Sequence, residues 1–309
     1  MKNANDFNEM TEKYFNYCVG RKNLDKKTIK CYHIDLNQYK EYIDNHNLIW
    51  YEKAAIEQYI DNLHAEYKPK SVKRKIASIK AFFHYLEIED KLEINPFHKI
   101  QVKYKEPFIL PKTIPLVNIE SIINYAYEKN KKATSAYSKK VALRNVLILE
   151  LLFATGMRIS ELCSLKSEQF DFNDYIIKIY GKGSKERLIQ ICNSNVQWLI
   201  DEYRSSIETD DNDFFFINRL HNRLSEQSVR YMINDYAEQA QISQHITPHM
   251  FRHSFATLLL EEDVDIRYIQ QMLGHSSITT TQIYTYTSLS KQKKILATKH
   301  PRNKFNICF

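Results

Sequence analysis

The stretch DYIIKIYGKGSKERLIQI, residues 174–191, is where this chain leaves the helical period. Two β-rich runs flank a turn at Gly181 to Ser184, a pattern that predicts a β-hairpin with Lys182 at its tip. A lysine at a hairpin tip is ordinarily turn chemistry. The segments around it read as helix. Upstream, VALRNVLILELLFA (141–154) is a strongly apolar helix ending in the turn TGMR. Downstream, Thr247 and Pro248 supply a cap and first residue for PHMFRHSFATLLLEE, and Gly274 closes DIRYIQQML. The expected fold is therefore mainly α with one small β-hairpin or sheet.

The first hundred residues are helical as well. Ile29, Tyr32, Leu36, Tyr39 and Ile43 recur at three- and four-residue spacing, as do Val72, Ile76, Ile79, Phe83 and Leu86. At 309 residues the chain suits two domains. The proline-containing segment from Asn95 to Pro115 has no sustained period, so we expect an N-terminal helical domain at 1–100, a linker at 101–112 and a second domain at 113–309.

Composition narrows the function. Hydrophobic content of 43% with 26% charged residues is that of a globular protein in solution, and only five glycines argue against glycine-rich nucleotide loops. The net charge of +7 is compatible with a polyanionic partner. Two basic clusters sharpen this: Arg21, Lys22, Lys26, Lys27 and Lys30, then Lys68, Lys70, Lys73, Arg74, Lys75 and Lys80, each at a helix start where phosphate contacts are favoured. Of these, Arg21, Lys27, Lys70, Lys73, Arg74 and Lys75 are the candidate phosphate contacts. Cys18, Cys31, Cys163, Cys192 and Cys308 lack C-x-x-C spacing and read as reduced thiols of a cytoplasmic protein. The N-terminus is polar, and the longest apolar run, VLILELLFATGM, contains Glu150 and is too short to span a bilayer.

Several residues suit chemistry without compelling it. Arg158 follows a glycine turn at the end of an apolar helix, where an arginine is commonly a cap. His249 and Arg252 lie at i and i+3, on one helix face near an N-terminus that favours an anion. His249 and His253 could suggest zinc, but Met250 stands where a zinc protease helix carries Glu, so no metal is expected. In LGHSSITTTQIYTYTS (273–288), His275 precedes Tyr284 and Tyr286, and an ordinary phenol is only ~0.1% ionised near neutral pH.

The order of these residues is decisive: Arg158, Lys182, His249-x-x-Arg252, Gly274-His275, then Tyr284 nine residues on. ATGMRISELCSL, GKGSKER, TPHMFRHSFAT and LGHSSITTTQIYT resemble the four signature blocks of the tyrosine recombinase family, and within it the bacterial Xer recombinases. The likeness extends through NLDKKTIKCYHIDLNQYKEYI and LPKTIPLVNIESII to KHPR at 299–302. One departure is Tyr286, where Xer relatives usually have histidine.

The resemblance implies a SAM-like N-terminal core-binding domain and an α+β catalytic domain closing as a C-shaped clamp on duplex DNA. It implies Tyr284 as nucleophile, Arg158, Arg252 and His275 on the phosphate, His249 as proton acceptor and Lys182 as general acid, with Lys185 next in line. Glu161 would hold Arg158. Strand exchange would pass through a 3′-phosphotyrosine and a Holliday junction, with neither ATP nor metal as cofactor. Four protomers would act on two sites, the tail at about 288–309 docking onto a neighbour, with a second recombinase or accessory factor possible. The biological setting would be chromosome dimer resolution or a related exchange. A mobile-element integrase, a type IB topoisomerase and a non-catalytic DNA-binding relative are the alternatives.

Overall fold

The computed structural model describes residues 4–102, 111–180, 186–207 and 213–274. The chain divides into two compact units, residues 1–108 and 109–309.

In the first unit, α1 (Ala4–Gly20), α2 (Lys26–Asn45), α3 (Lys53–Glu66) and α4 (Pro69–Ile88) precede a 3-10 turn at Pro96–Lys99. Asp25 caps α2 by accepting from the Lys27 amide at 2.8 Å. Pro69 opens α4 in the first turn, where its missing N–H costs nothing. Leu36, Tyr39 and Ile43 of α2 and Val72, Ile76, Ile79, Phe83 and Leu86 of α4 are buried, while Ile29 and Tyr32 are partly so. Phe7, Tyr14, Trp50 and Phe82 complete a core rich in tilted and edge-on ring pairs.

The second unit is built around α6 (Ala136–Thr155), whose Val146 to Leu149, Leu151 and Leu152 are all fully buried. A helix apolar on nearly every side needs cover all round. It receives it from α5 (Leu116–Lys132), α8 (Ser194–Ser206) and α10 (Pro248–Glu261). After the short α7 (Ile159–Cys163), β1 (Phe170–Asp171), β2 (Ile176–Tyr180) and β3 (Glu186–Gln190) form an antiparallel sheet in the order β1-β2-β3. The β2–β3 register pairs Ile179 with Arg187 and Ile177 with Ile189, which is the hairpin expected from the sequence. α9 (Glu226–Gln239) and α11 (Ile266–Leu273) complete the described elements. The expected class, mainly helical with a small sheet, is the observed one.

Gly156 ends α6 in the left-handed region at φ 59°. A Cβ there would lie 2.6 Å from Phe255 Cδ1 and 2.9 Å from Leu273 Cδ2, so both backbone and space require glycine. This tight junction turns the chain so that Arg158 becomes the N-cap of α7. No helix among the described residues is long and apolar enough to cross a membrane.

Candidate active site

Arg158, half-buried at the start of α7, is gripped by one carboxylate in two ways. Its backbone N–H donates to Glu161 Oε2 at 2.8 Å and its Nη1 to Glu161 Oε1 at 2.8 Å. Glu161 is itself buried and takes a second arginine, Arg187 of β3, through Nη1 at 3.1 Å and Nη2 at 2.7 Å. Burial pushes the Glu161 carboxyl up, but the hydrogen bonds and charge of Arg187, then Arg158, outweigh it and leave the pKa below the ordinary value. Glu161 therefore stays ionised. Removing one partner of so buried a pair typically costs about 3–5 kcal/mol.

Arg252 reaches the same turn from α10. Its Nη1 donates to the Gly156 carbonyl at 2.8 Å, across 96 residues of sequence, and its Nη2 to Leu273 O at 2.6 Å. Both contacts fix the plane of a guanidinium that is only 4% exposed. The last turn of α11 thus receives two cations, because Arg187 Nε also donates to Met272 O at 2.8 Å. Cations at a helix C-terminus are favoured by its dipole and satisfy carbonyls that the helix leaves unpaired.

His249 sits exposed in the first turn of α10. Partial desolvation, then the charges of Arg252, Arg158 and Arg230, hold its pKa below the ordinary histidine value. His253, one turn on, is pushed down to about 4 by burial first and then by His249 and Arg252. Both rings are neutral near pH 7. They line an open groove of about 500 Å³ with Lys112, His245 and Thr247.

Lys182, Lys185, His275, Tyr284, Tyr286 and the tail from 288 lie outside the described residues. Their flanks are described: β2 ends at Tyr180 and β3 starts at Glu186, while α11 closes on Gly274 in the left-handed region, immediately before His275. Among the described residues no cluster of His, Cys, Asp and Glu has the makings of a metal site.

In the helical unit, Arg21, Lys27, Lys70, Lys73 and Arg74 are exposed. Lys75 corrects the sequence expectation. Its side chain is 4% exposed, bonded to Gln38, 3.7 Å from Asp35 and stacked 4.6 Å from the Tyr67 ring, so it serves the interior and offers no surface cation. Burial lowers its pKa. Asp35, fully buried on α2, also receives Arg74 Nη1 and Ser78 Oγ, the latter at 2.6 Å. The sequence reading singled out neither Asp35 nor Arg187.

A family model described as the phage integrase family matches residues 117–291, and one for the phage integrase N-terminal SAM-like domain matches residues 11–90. The chain belongs to the phage integrase family of tyrosine recombinases. A tyrosine recombinase of Agathobacter rectalis is 54% identical over 295 residues, covering 95% of this chain and 96% of the relative. Tyrosine recombinase XerC of Staphylococcus aureus is 31% identical, covering 96% of this chain and 98% of its own. Tyrosine recombinase XerD of Listeria innocua is 33% identical, covering 96% and 99%. Among solved structures, XerA recombinase matches with a TM-score of 0.53 at 29% identity, covering 96% of this chain and 99% of that one. XerH bound to a palindromic difH substrate after cleavage matches with a TM-score of 0.72 at 22% identity, covering 91% and 82%.

Proposed function

We propose that this tyrosine recombinase is an Xer-like site-specific DNA recombinase that cuts and rejoins duplex DNA through Tyr284. The observation that carries this reading is the Arg252 contact to the Gly156 carbonyl, which draws the second arginine of the signature onto the turn that bears the first. A phosphodiester under attack gathers negative charge on its non-bridging oxygens, and two permanently charged planar guanidiniums are suited to hold them. Arg158 and Arg252 take that role, with a hydrogen bond from His275.

Tyr284 Oη attacks the phosphorus and its proton passes to His249, whose depressed pKa keeps it able to accept. The bond to the 5′-oxygen breaks, and Lys182 at the hairpin tip supplies the proton that this oxygen needs to leave as a hydroxyl. The phosphotyrosine keeps the energy of the phosphodiester, so attack by another 5′-hydroxyl restores DNA without ATP or a metal. In the helical unit, Arg21, Lys27, Lys70, Lys73 and Arg74 contact the DNA backbone. The start of α4 supports this: Lys70 stands in its first turn with no acid beside it, a placement the helix dipole disfavours unless an anion is nearby.

Two protomers fill a site and four join two sites in a Holliday junction, the tail from about 288 docking onto a neighbour in the cytoplasmic complex. XerC and XerD relatives resemble the chain about equally, so the reading stops at Xer-like chemistry, in chromosome dimer resolution or a related exchange. The test is a plasmid bearing two candidate sites, incubated with purified protein in chelator and without ATP. Site-dependent deletion or inversion is expected. Relaxation of supercoils without dependence on paired sites would instead favour a topoisomerase.

A further inference from the structure

Arg187 spends its whole fork on the protein. Three of its nitrogens bind two oxygens of Glu161 and the carbonyl of Met272, and its side chain is 7% exposed. It lies so close under Gly274 that a Cβ on that glycine would sit 3.1 Å from both Cδ and Nη1. A buried arginine with such a set of partners could serve only to hold the domain together. Its partners argue for more. Glu161 is the group that aims Arg158, Met272 O belongs to the turn that leads to His275, and β3 is the strand that carries the hairpin holding Lys182.

We infer that Arg187 is a positioning residue of the cleavage reaction: it locks the Glu161 carboxylate against Arg158 and fastens the end of α11 to the hairpin, so the phosphate-binding cations are set before DNA arrives. This inference rests on the recombinase reading above. With Arg187 in place, the two oxygens of Glu161 are each shared between two donors and cannot rotate away from Arg158. Without it, the Arg158 backbone N–H is the one remaining contact that orients the Glu161 carboxylate, and Oε1 is left free to swing with the Arg158 guanidinium. Arg187 touches no reacting atom and acts through Glu161.

The test compares full-length wild type, Arg187→Met, Glu161→Gln, the double variant and Arg158→Ala on a nicked suicide site that traps the covalent complex. Each is measured on the ordinary phosphodiester and on a site whose scissile phosphate is a methylphosphonate, which carries no charge and needs less cationic help. A misplacement of about 1 Å costs on the order of 100-fold in rate, so Arg187→Met should lose about that much on the phosphodiester. It should recover most of the loss on the methylphosphonate, bind half-sites as wild type does, and lose little more when Glu161→Gln is added. A merely structural role depresses both substrates alike, and that result overturns the proposal, as do additive losses. Should Arg187→Met fail to fold, Arg187→Lys keeps the charge but loses the planar fork that spans both Glu161 oxygens and the Met272 carbonyl. It should show the same substrate pattern in smaller degree, and a wild-type rate on the phosphodiester overturns the claim. Failure of wild type to cleave, or undiminished cleavage by Arg158→Ala, overturns the recombinase reading and the proposal with it. Normal controls beside an unimpaired Arg187→Met overturn the proposal alone.

Discussion

His249 and His253 lie one turn apart on α10, and their surroundings give both the neutral ring. For His249 this suits a proton acceptor. For His253 it has a consequence for stability. A histidine whose folded pKa is depressed to about 4 stays unprotonated in the native state while the unfolded chain takes up a proton below about 6.5. Stability is then fully present above the unfolded value and falls as pH drops from about 6.5 toward 4. His253→Gln should remove about 1–3 kcal/mol of that fall. Urea unfolding of both proteins at pH 7 and pH 4.5 measures it, and parallel pH dependences would contradict the neutral ring assigned to the folded protein. Lys75 gives the complementary lesson at this scale. It belongs to a run of cations, but Val72, Lys75 and Ile79 stand three and four residues apart, so Lys75 falls on the buried stripe of α4. Counting charge along a sequence misses this, whereas counting the helical period finds it.

At the scale of elements, the hairpin, α4, α10 and α11 were legible because their periods are strong and because Pro248, which opens α10, and Gly274, which closes α11, have marked backbone preferences. Arg187 was not, because a charged residue is not expected on the inner face of a strand. Yet Ile191 and Ile189 are buried, and stepping back two more residues arrives at Arg187, while Leu188 points outward at 65% exposure. What made the inner position tolerable was a buried carboxylate on another element, which no local pattern could announce. The same limit hid Asp35, whose partners Arg74 and Ser78 lie on another helix. The α6–α7 junction was legible as a turn, though not as the carbonyl that anchors Arg252. Gly156→Ala should destabilise the protein by roughly 2–4 kcal/mol through left-handed strain and collision with Phe255 and Leu273. It should also slow cleavage. Thermal unfolding with a single-turnover assay tests both, and an unchanged midpoint would show that the turn relaxes freely.

On the scale of the whole molecule, two separate cores support a division of labour. The helical unit carries exposed cations, among them Arg74, which the buried Asp35 holds from within, and the larger unit gathers Arg158, Glu161, Arg187 and Arg252 around one turn. The likeness to known tyrosine recombinases runs over 95% of the chain, so both units belong to the shared design. The central claim is that this apparatus serves one nucleophile, Tyr284, set at the family's spacing from His275, and not its neighbour Tyr286. The direct measurement is covalent capture on a nicked suicide site followed by peptide mapping of the protein–DNA link. The account predicts that wild type and Tyr286→Phe are captured through Tyr284 and that Tyr284→Phe gives no adduct. An adduct formed by Tyr284→Phe, or one mapped to Tyr286, would contradict it.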